Sequence, residues 1–241
     1  MIIVFPMAGL SSRFLNAGYK EPKYMLKIGA ESVFLKAVSS FSKYFNAAKF
    51  LFIYRNIHNT SDFIKQECEK MGLLNYKAVE LESTTLGQAH TTALGLEALK
   101  IPQYRSILIF NIDTFRPNFT LPDSSILEAC GYLEVFRGEG EHWSFVLGDE
   151  NGNVLKTAEK DRISSLCSSG LYYFKNAGDF LSVFKWSVEN KQSVKGEYYI
   201  APLYNRLIAM GKCVKFVEIP QKQIIFCGTP LEYEALKEAE S

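Results

Sequence analysis

Hydrophobic positions divide the chain into two stretches of different rhythm. Up to about residue 117, short continuous apolar runs alternate with amphipathic segments. Residues 2–7 (IIVFPM) are apolar without alternation, as in a strand buried on both faces. Val33, Phe34, Ala37, Val38, Phe41, Tyr44 and Phe45 then recur at helical spacing, which predicts an amphipathic helix over about 31–45. Residues 50–54 predict a second strand. Thr60 or Ser61 would cap a helix that runs to Met71 and stops at Gly72. A strand near 76–81 follows, then a helix from Gly87 through Leu99, then a strand over 107–110 that ends in Asn111-Ile112-Asp113. This alternation predicts an α/β fold, a Rossmann-like mixed, mostly parallel sheet flanked by helices.

After Pro117 the rhythm turns to β. Residues 131–136, 142–148 and 153–158 read as strands, and Asn151-Gly152 is a hairpin turn between the last two. A strand over 169–175 precedes helices over about 179–189 and 197–210. Strands near 213–219 and 223–226 lead to a final helix with Thr229 as cap and Pro230 at its first position.

Composition adds mainly exclusions. Lys plus Arg is 27 and Asp plus Glu is 26, a formal charge of +1, which argues against a nucleic-acid partner. No apolar run approaches the ~20 residues of a membrane helix. Five cysteines lie far apart without C-x-x-C spacing, which fits free thiols in a reducing compartment and argues against structural zinc. These readings together predict a cytoplasmic protein with no membrane contact.

Three stretches carry candidate chemistry. The first strand delivers Met7-Ala8-Gly9-Leu10-Ser11-Ser12-Arg13, then Pro22-Lys23. Glycine and small hydroxyl residues let backbone N–H groups approach phosphate oxygens, and Arg13 and Lys23 supply positive charge. Taken alone, Arg13 also fits a solvent-facing or capping residue. Asp113, just past a strongly apolar strand, stands where open α/β sheets bind ligands. It fits either a carboxylate for Mg²⁺ or a cap for the next turn. The third stretch is Glu82-Ser83-Thr84-Thr85-Leu86-Gly87-Gln88-Ala89, which opens a helix with free N–H donors.

Together these motifs resemble those of the nucleotidyltransferases that activate phosphorylated small molecules, chiefly sugar 1-phosphates. The fingerprint of that family is a strand, A-G-x-x-(S/T)-R, then P-K. The capsule-biosynthesis members, in which P-M-A-G precedes the arginine, are the most similar. The resemblance implies one nucleotidyltransferase domain over residues 1–241, with 1–117 binding the nucleotide and 118–241 a β-rich part that covers the acceptor. It implies Arg13 and Lys23 as catalytic residues, and Met7, Ala8, Gly9, Leu10, Ser12, Glu82, Gly87 and Gln88 around the nucleotide. Asp113 corresponds to a Mg²⁺ ligand, although Ile112 replaces the glycine that usually precedes it. Glu82, five residues before Gly87, stands where sugar-phosphate members often carry glutamine. A carboxylate accepts from the N4 amino group of cytosine, which favours CTP, although Glu82 also fits a solvent-facing residue.

The acceptor side resembles the family through Glu159-Lys160, Gly170 in Ser169-Gly170-Leu171-Tyr172, and Glu197 in Gly196-Glu197. Glu159 and Lys160 fit a surface pair equally well, and Glu197 fits a helix-start acid. The segment 131–145, with Arg137, His142 and Ser144 as polar members and Trp143 and Phe145 as core or pocket residues, is expected to line the acceptor site. The capsule branch implies an acceptor of the L-glutamine phosphate kind. Sugar 1-phosphates and phosphocholine are the alternatives, and a non-catalytic nucleotide-binding regulator is an alternative of another class. One departure stands out. The family's D-x-G-T-P, whose aspartate is a second metal ligand, reads Phe226-Cys227-Gly228-Thr229-Pro230 here. Cys227 does not replace it, because a thiol suits a hard cation poorly.

Overall fold

The structure, a computed structural model, describes residues 1–240. Its first part runs β1 (Ile2–Pro6), a short α1 (Ser12–Asn16), the small hairpin β2 (Lys27–Ile28) and β3 (Glu31–Ser32), α2 (Val33–Ser39), β4 (Lys49–Tyr54), α3 (Thr60–Met71), β5 (Tyr76–Glu80), α4 (Gln88–Ala98) and β6 (Ile107–Phe110). There follow β7 (Thr114–Phe115), α5 (Ser124–Leu127), β8 (Gly131–Arg137), β9 (Ser144–Gly148), β10 (Val154–Glu159), β11 (Leu166–Phe174), α6 (Ala177–Glu189), α7 (Tyr204–Ala209), β12 (Val214–Glu218), β13 (Ile225–Phe226) and α8 (Pro230–Ala239). No helix among the described residues is long and apolar enough to cross a membrane.

Nine strands form one mixed sheet in the order β10-β9-β11-β6-β1-β4-β5, with β8 and β12 branching from β11. The segment β6-β1-β4-β5 is parallel, and β11 runs antiparallel to β6. Alternation along β1 sends Ile3 and Phe5 to one face and Ile2 and Val4 to the other, and all four are buried. The first face is covered by α2, α3 and α8 through Phe34, Val38, Ile64, Cys68 and Tyr233. The second is covered by α4, α6 and α7 through Ala93, Leu96, Phe180 and Leu207.

Two topological features create a cleft. The chain leaves β1 towards β4 and β5 on one side and later returns as β6 on the other. A crevice therefore opens at the carboxyl ends of β1 and β6, the place where such sheets bind ligands. The second feature is in β11. Its start pairs with β9 at Cys167↔Phe145, its end pairs with β6 from Leu171 to Phe174, and the register with β8 shifts between Ser168 and Tyr172. The strand is thus kinked at Ser169-Gly170, where the sheet splits.

Several boundaries differ from the sequence expectation. The helix over 31–45 is shorter, because Ser32 caps α2 by accepting from Leu35 N and Ser40 ends it. Ser40 Oγ accepts from Arg116 N at 2.8 Å, so this hydroxyl ties the helix end to the chain after β7. Asn59, in a left-handed conformation, precedes α3, whereas Thr60 is already helical and donates to Ile57 O at 2.5 Å. The helix over 197–210 begins as a single tight turn at Ala201–Leu203 and becomes α7 only at Tyr204. Residue 198 is instead recruited by backbone bonds to the segment before α4, through Tyr198 N to Leu86 O at 2.7 Å and Ala89 N to Tyr198 O at 3.0 Å.

A buried ion pair anchors the kink. Arg116 Nε donates to both Glu134 oxygens at 3.0 and 3.1 Å, and Ser169 Oγ donates to Glu134 Oε1 at 3.1 Å. Burial pushes the Glu134 carboxyl above its usual range, and the Arg116 guanidinium offsets part of that rise. Arg116→Leu leaves this carboxylate unpaired and is expected to lower stability by about 3–5 kcal/mol in chemical denaturation. Arg116→Met/Glu134→Leu, which removes both charges, should lie closer to wild type.

Candidate active site

The loop after β1 begins as an extension of the strand, with Met7 N donating to Ile53 O at 2.8 Å. Met7 and Ala8 are buried, while Gly9 and Leu10 are exposed at the cleft. Ser11 adopts a left-handed conformation with φ 52° and turns the chain into α1, which carries Arg13. Phe14 anchors that turn against Tyr19 and Tyr233. The chain then returns along the loop, and Lys23 N donates to Ser11 Oγ at 3.3 Å. Tyr24, buried beside Lys23, fixes the return by sharing a 3.0 Å hydrogen bond with the Thr60 hydroxyl.

Lys23 Nζ forms an ion pair with Asp113 Oδ2. Asp113 follows β6 and is held from the far end of the chain, because Cys227 N donates to Asp113 O at 2.8 Å. The ribbon β7–β13, with Thr114 opposite Phe226, continues that contact. Gly9, Arg13 and Lys23 of the first loop and Asp113 after β6 therefore line one cleft.

A second recess lies beside the loop, between Ala8, Gly9, Leu10 and Ser12 on one side and Thr84, Thr85, Gly87, Gln88 and Glu197 on the other. Gly87 has φ 103°, and a Cβ there would stand 2.7 Å from Tyr198 O. Glycine is required by both conformation and space. Gln88 Nε2 donates to Asn111 Oδ1 at 2.5 Å and joins this recess to the end of β6. Glu82 is exposed on the segment leading into the recess and is not among the residues that line it.

The third recess lies at the split in the sheet, beneath β7 and β13. Arg13, Asp113, His142, Trp143, Ser144, Glu159, Gly170, Tyr172, Tyr199, Phe226 and Glu232 are among its walls. Gly170 has φ 88°, and a Cβ would lie 2.3 Å from the Asn111 side-chain nitrogen, so the bare backbone lets Asn111 sit over the kink. Glu159 is buried, accepts from Ser144 Oγ, and lies 3.9 Å from Lys160 Nζ. Burial raises the Glu159 carboxyl above its usual range; the Ser144 hydroxyl and the Lys160 charge hold it back. Lys160 Nζ donates to the hydroxyl of Tyr199, a wall of the recess, at 2.5 Å, with its ammonium 4.4 Å from the ring centroid. Glu197 accepts from the same hydroxyl. Glu159, Lys160 and Glu197 are thus neither a plain surface pair nor a helix-start acid but a connected chain at the cleft.

One expectation for the segment 131–145 needs correction: Arg137 is exposed and forks onto Glu218 at 2.8 and 3.1 Å, outside the recess. Of the two readings of Phe145, core is the one observed, since it is fully buried. His142, Trp143 and Ser144 do line the recess. Sequence reasoning missed Asn111, Tyr199 and Glu232. Only Glu232 left a signal, the T-x-x-E capping box that begins at Thr229.

The recesses measure about 230, 290 and 220 Å³. Each is below the roughly 300–1,000 Å³ of a small-molecule site. Gln88 lines all three, and Gly9, Asn111, Asp113 and Tyr199 each line two, so the recesses are continuous and as one cleft reach that size.

The site fits the divalent cation that the motifs imply, through one acid. Asp113 is a hard carboxylate at the cleft, and the Lys23 ammonium stands on it as a stand-in cation. Phe226 offers no donor. Burial, aided by the Asp113 charge, pushes the Cys227 thiol up to about 12, so it stays protonated near neutral pH. No cluster of three or more His, Cys, Asp or Glu side chains arranged for a metal occurs among the described residues. Asp113 would hold Mg²⁺ together with phosphate oxygens and water, as such ions commonly bind.

No family model matches the chain, and neither does any curated protein. Among solved structures, it is similar to the nucleoside-diphosphate-sugar pyrophosphorylase from Vibrio cholerae RC9, with 44% identity and a TM-score of 0.93 over 98% of this chain and 99% of that one. It is also similar to the inositol-1-phosphate CTP transferase from T. maritima, with 15% identity and a TM-score of 0.72 over 99% and 95% of the two chains. A UDP-glucose pyrophosphorylase complexed with UDP-glucose shows 17% identity and a TM-score of 0.75 over 99% and 97%. At the last two identities the likeness is one of fold.

Two glycines separate fold from binding. Gly87→Ala forces a methyl group onto the Tyr198 backbone and is expected to destabilise the protein by about 1–3 kcal/mol. A Cβ on Gly9 would meet nothing within 4 Å, so Gly9→Ala should leave the thermal midpoint unchanged and weaken triphosphate binding. Thermal melts with and without nucleotide check both.

Proposed function

The chain belongs to the nucleoside-diphosphate-sugar pyrophosphorylase family of nucleotidyltransferases, and from that premise we propose that it is a Mg²⁺-dependent cytidylyltransferase acting on a small phosphorylated acceptor. An acceptor phosphate oxygen attacks the α-phosphorus of the triphosphate. The bond from that phosphorus to the bridging oxygen breaks, and pyrophosphate leaves with the electron pair. The observation that carries this reading is the meeting of Gly9, Arg13, Lys23 and Asp113 in one cleft.

The roles follow from charge and position. The acceptor phosphate is already anionic near neutral pH, so the reaction needs no general base. The obstacle is the approach of two anions, which alignment and fixed positive charge overcome. The amides around Gly9 and the Arg13 guanidinium hold the outgoing phosphates. Lys23 moves from Asp113 to the oxygens between the two reactants. Bound Mg²⁺ would neutralise triphosphate charge beside Asp113. The recess of Thr84, Thr85, Gly87 and Gln88 takes the base, and the recess at Gly170 takes the acceptor.

CTP is favoured because Glu82 would accept from the cytosine amino group, whereas uracil and thymine present a carbonyl there. Glu82 is exposed in the unliganded protein, so this selection requires the 82–86 segment to close over the base. L-glutamine phosphate, for capsular polysaccharide modification, is the acceptor that the resemblance of the first 28 residues supports. The polar groups of His142, Ser144 and Glu159 suit a small acceptor. A sugar 1-phosphate is the second reading, favoured by the name of the Vibrio cholerae relative.

Pyrophosphate release from CTP and Mg²⁺, screened over phosphorylated amino acids, sugar 1-phosphates and phosphocholine, tests the proposal. Release with one acceptor class is expected, and Lys23→Ala should lower kcat by roughly 10²–10³. Failure with every triphosphate and acceptor would favour a nucleotide-binding regulator. Glu82→Gln should reduce the preference for CTP over UTP, and an unchanged ratio would remove Glu82 from base selection.

A further inference from the structure

Resting on the nucleotidyltransferase reading, the geometry points to Glu232 as the second carboxylate for the divalent cation that accompanies the triphosphate. Phe226 occupies the usual position of that acid, and its ring has joined an aromatic cluster, 4.8 Å from Trp143 and 5.3 Å from Phe136 between centroids. The ribbon that would present an acid at 226 is nevertheless intact, with Phe226 opposite Thr114 and Cys227 N on Asp113 O. The position is built, but its side chain has no oxygen.

Glu232 lies six residues on, in the first turn of α8, and lines the same recess as Asp113. Its Oε2 accepts from Gly228 N and Thr229 N, both at 2.9 Å, which fixes the side chain across the start of the helix. Gly228 stands between the two acids. A Cβ there would lie 3.1 Å from Asp113 Oδ2 and 3.7 Å from Glu232 Oε2. One oxygen of each acid therefore lies beside the open side of Gly228, the Asp113 oxygen with the Lys23 ammonium on it. Lys23 pairs with Asp113 Oδ2, one of the same oxygens, so this side of the pair accommodates positive charge.

A purely structural cap would account for the two amide contacts, but a cap does not need a charge. Glutamine fills the same place in the motif and gives up only the modest attraction of a carboxylate to the helix start. Mg²⁺ does need charge, and commonly takes one or two carboxylates with phosphate oxygens and water. Exchange of an acid at 226 for one at 232 keeps two carboxylates at the metal and frees 226 to form an aromatic wall of the acceptor recess.

The test is binding of Mn²⁺ in the presence of inorganic tripolyphosphate, a probe that carries no base, read as free Mn²⁺ by electron paramagnetic resonance on the full-length protein. Glu232→Gln keeps the cap and removes the charge. It should bind Mn²⁺ at least about tenfold more weakly, with its metal-free thermal midpoint close to wild type. Thr229→Ala, which weakens the cap and keeps the acid, should lower the midpoint and retain Mn²⁺ binding. Phe226→Asp added to Glu232→Gln should restore binding. Equal Mn²⁺ binding by wild type and Glu232→Gln, including none by either, overturns the assignment, as does failure of the double variant to recover. Should Glu232→Gln not fold, Glu232→Asp, with its shorter arm, should bind Mn²⁺ several-fold more weakly; wild-type affinity overturns the assignment. A wild-type protein that binds Mn²⁺ with tripolyphosphate but releases no pyrophosphate from any nucleotide would overturn the transfer reading instead.

Discussion

Contact between the Lys23 ammonium and the Asp113 carboxylate is the constraint on which the site depends. It joins the loop after β1 to the end of β6 across the crevice, and each partner is positioned from elsewhere. Lys23 is presented by the turn that Ser11 and Tyr24 hold. Asp113 is presented by β6 and by the backbone of residue 227. In the unliganded protein each charge satisfies the other. A triphosphate with its cation offers both a better arrangement: phosphate oxygens for the ammonium and a divalent ion for the carboxylate. The pair thus keeps the cleft charged and open without leaving an isolated charge in it.

The parallel part of the fold was legible because β1, β4 and β6 are buried on both faces and α2 and α3 carry an apolar stripe, whereas β5 is a mostly exposed edge and α4 buries small residues without a marked stripe. The meeting of the first loop with the end of β6 was legible for a different reason: Gly9, Arg13, Lys23 and Asp113 are chemically unusual next to strand ends. Legibility failed where tertiary contacts override local pattern. Tyr198 belongs to an apolar stripe of helical spacing, yet its backbone pairs with Leu86 and Ala89, and the helix starts later. Arg137 lies in a segment that reaches the cleft, but Glu218 draws it to the outer surface. The kink at Gly170, where β11 changes partners, depends on three other strands and leaves only a Ser-Ser-Gly run in the sequence.

The second half shows how a chain can alter a site without altering its frame. The β7–β13 ribbon, the Thr229 capping box and the Gly170 kink form the scaffolding around the recess at the split in the sheet. Within that scaffolding, an aromatic residue stands at 226. It narrows the recess with Trp143, while acid is supplied by the buried Glu159 and by Glu232 at the rim. In the proposed reaction, acceptor choice falls to this recess and triphosphate handling to the first loop and Asp113.

The most direct measurement of the central claim is a crystal structure with a nucleoside triphosphate and a divalent cation bound. The account predicts that Lys23 Nζ leaves Asp113 and contacts a phosphate oxygen, that the cation takes its place on the carboxylate, and that the phosphates lie against Gly9 and Arg13. A bound nucleotide with Lys23 still on Asp113 and the phosphates outside this loop would contradict it.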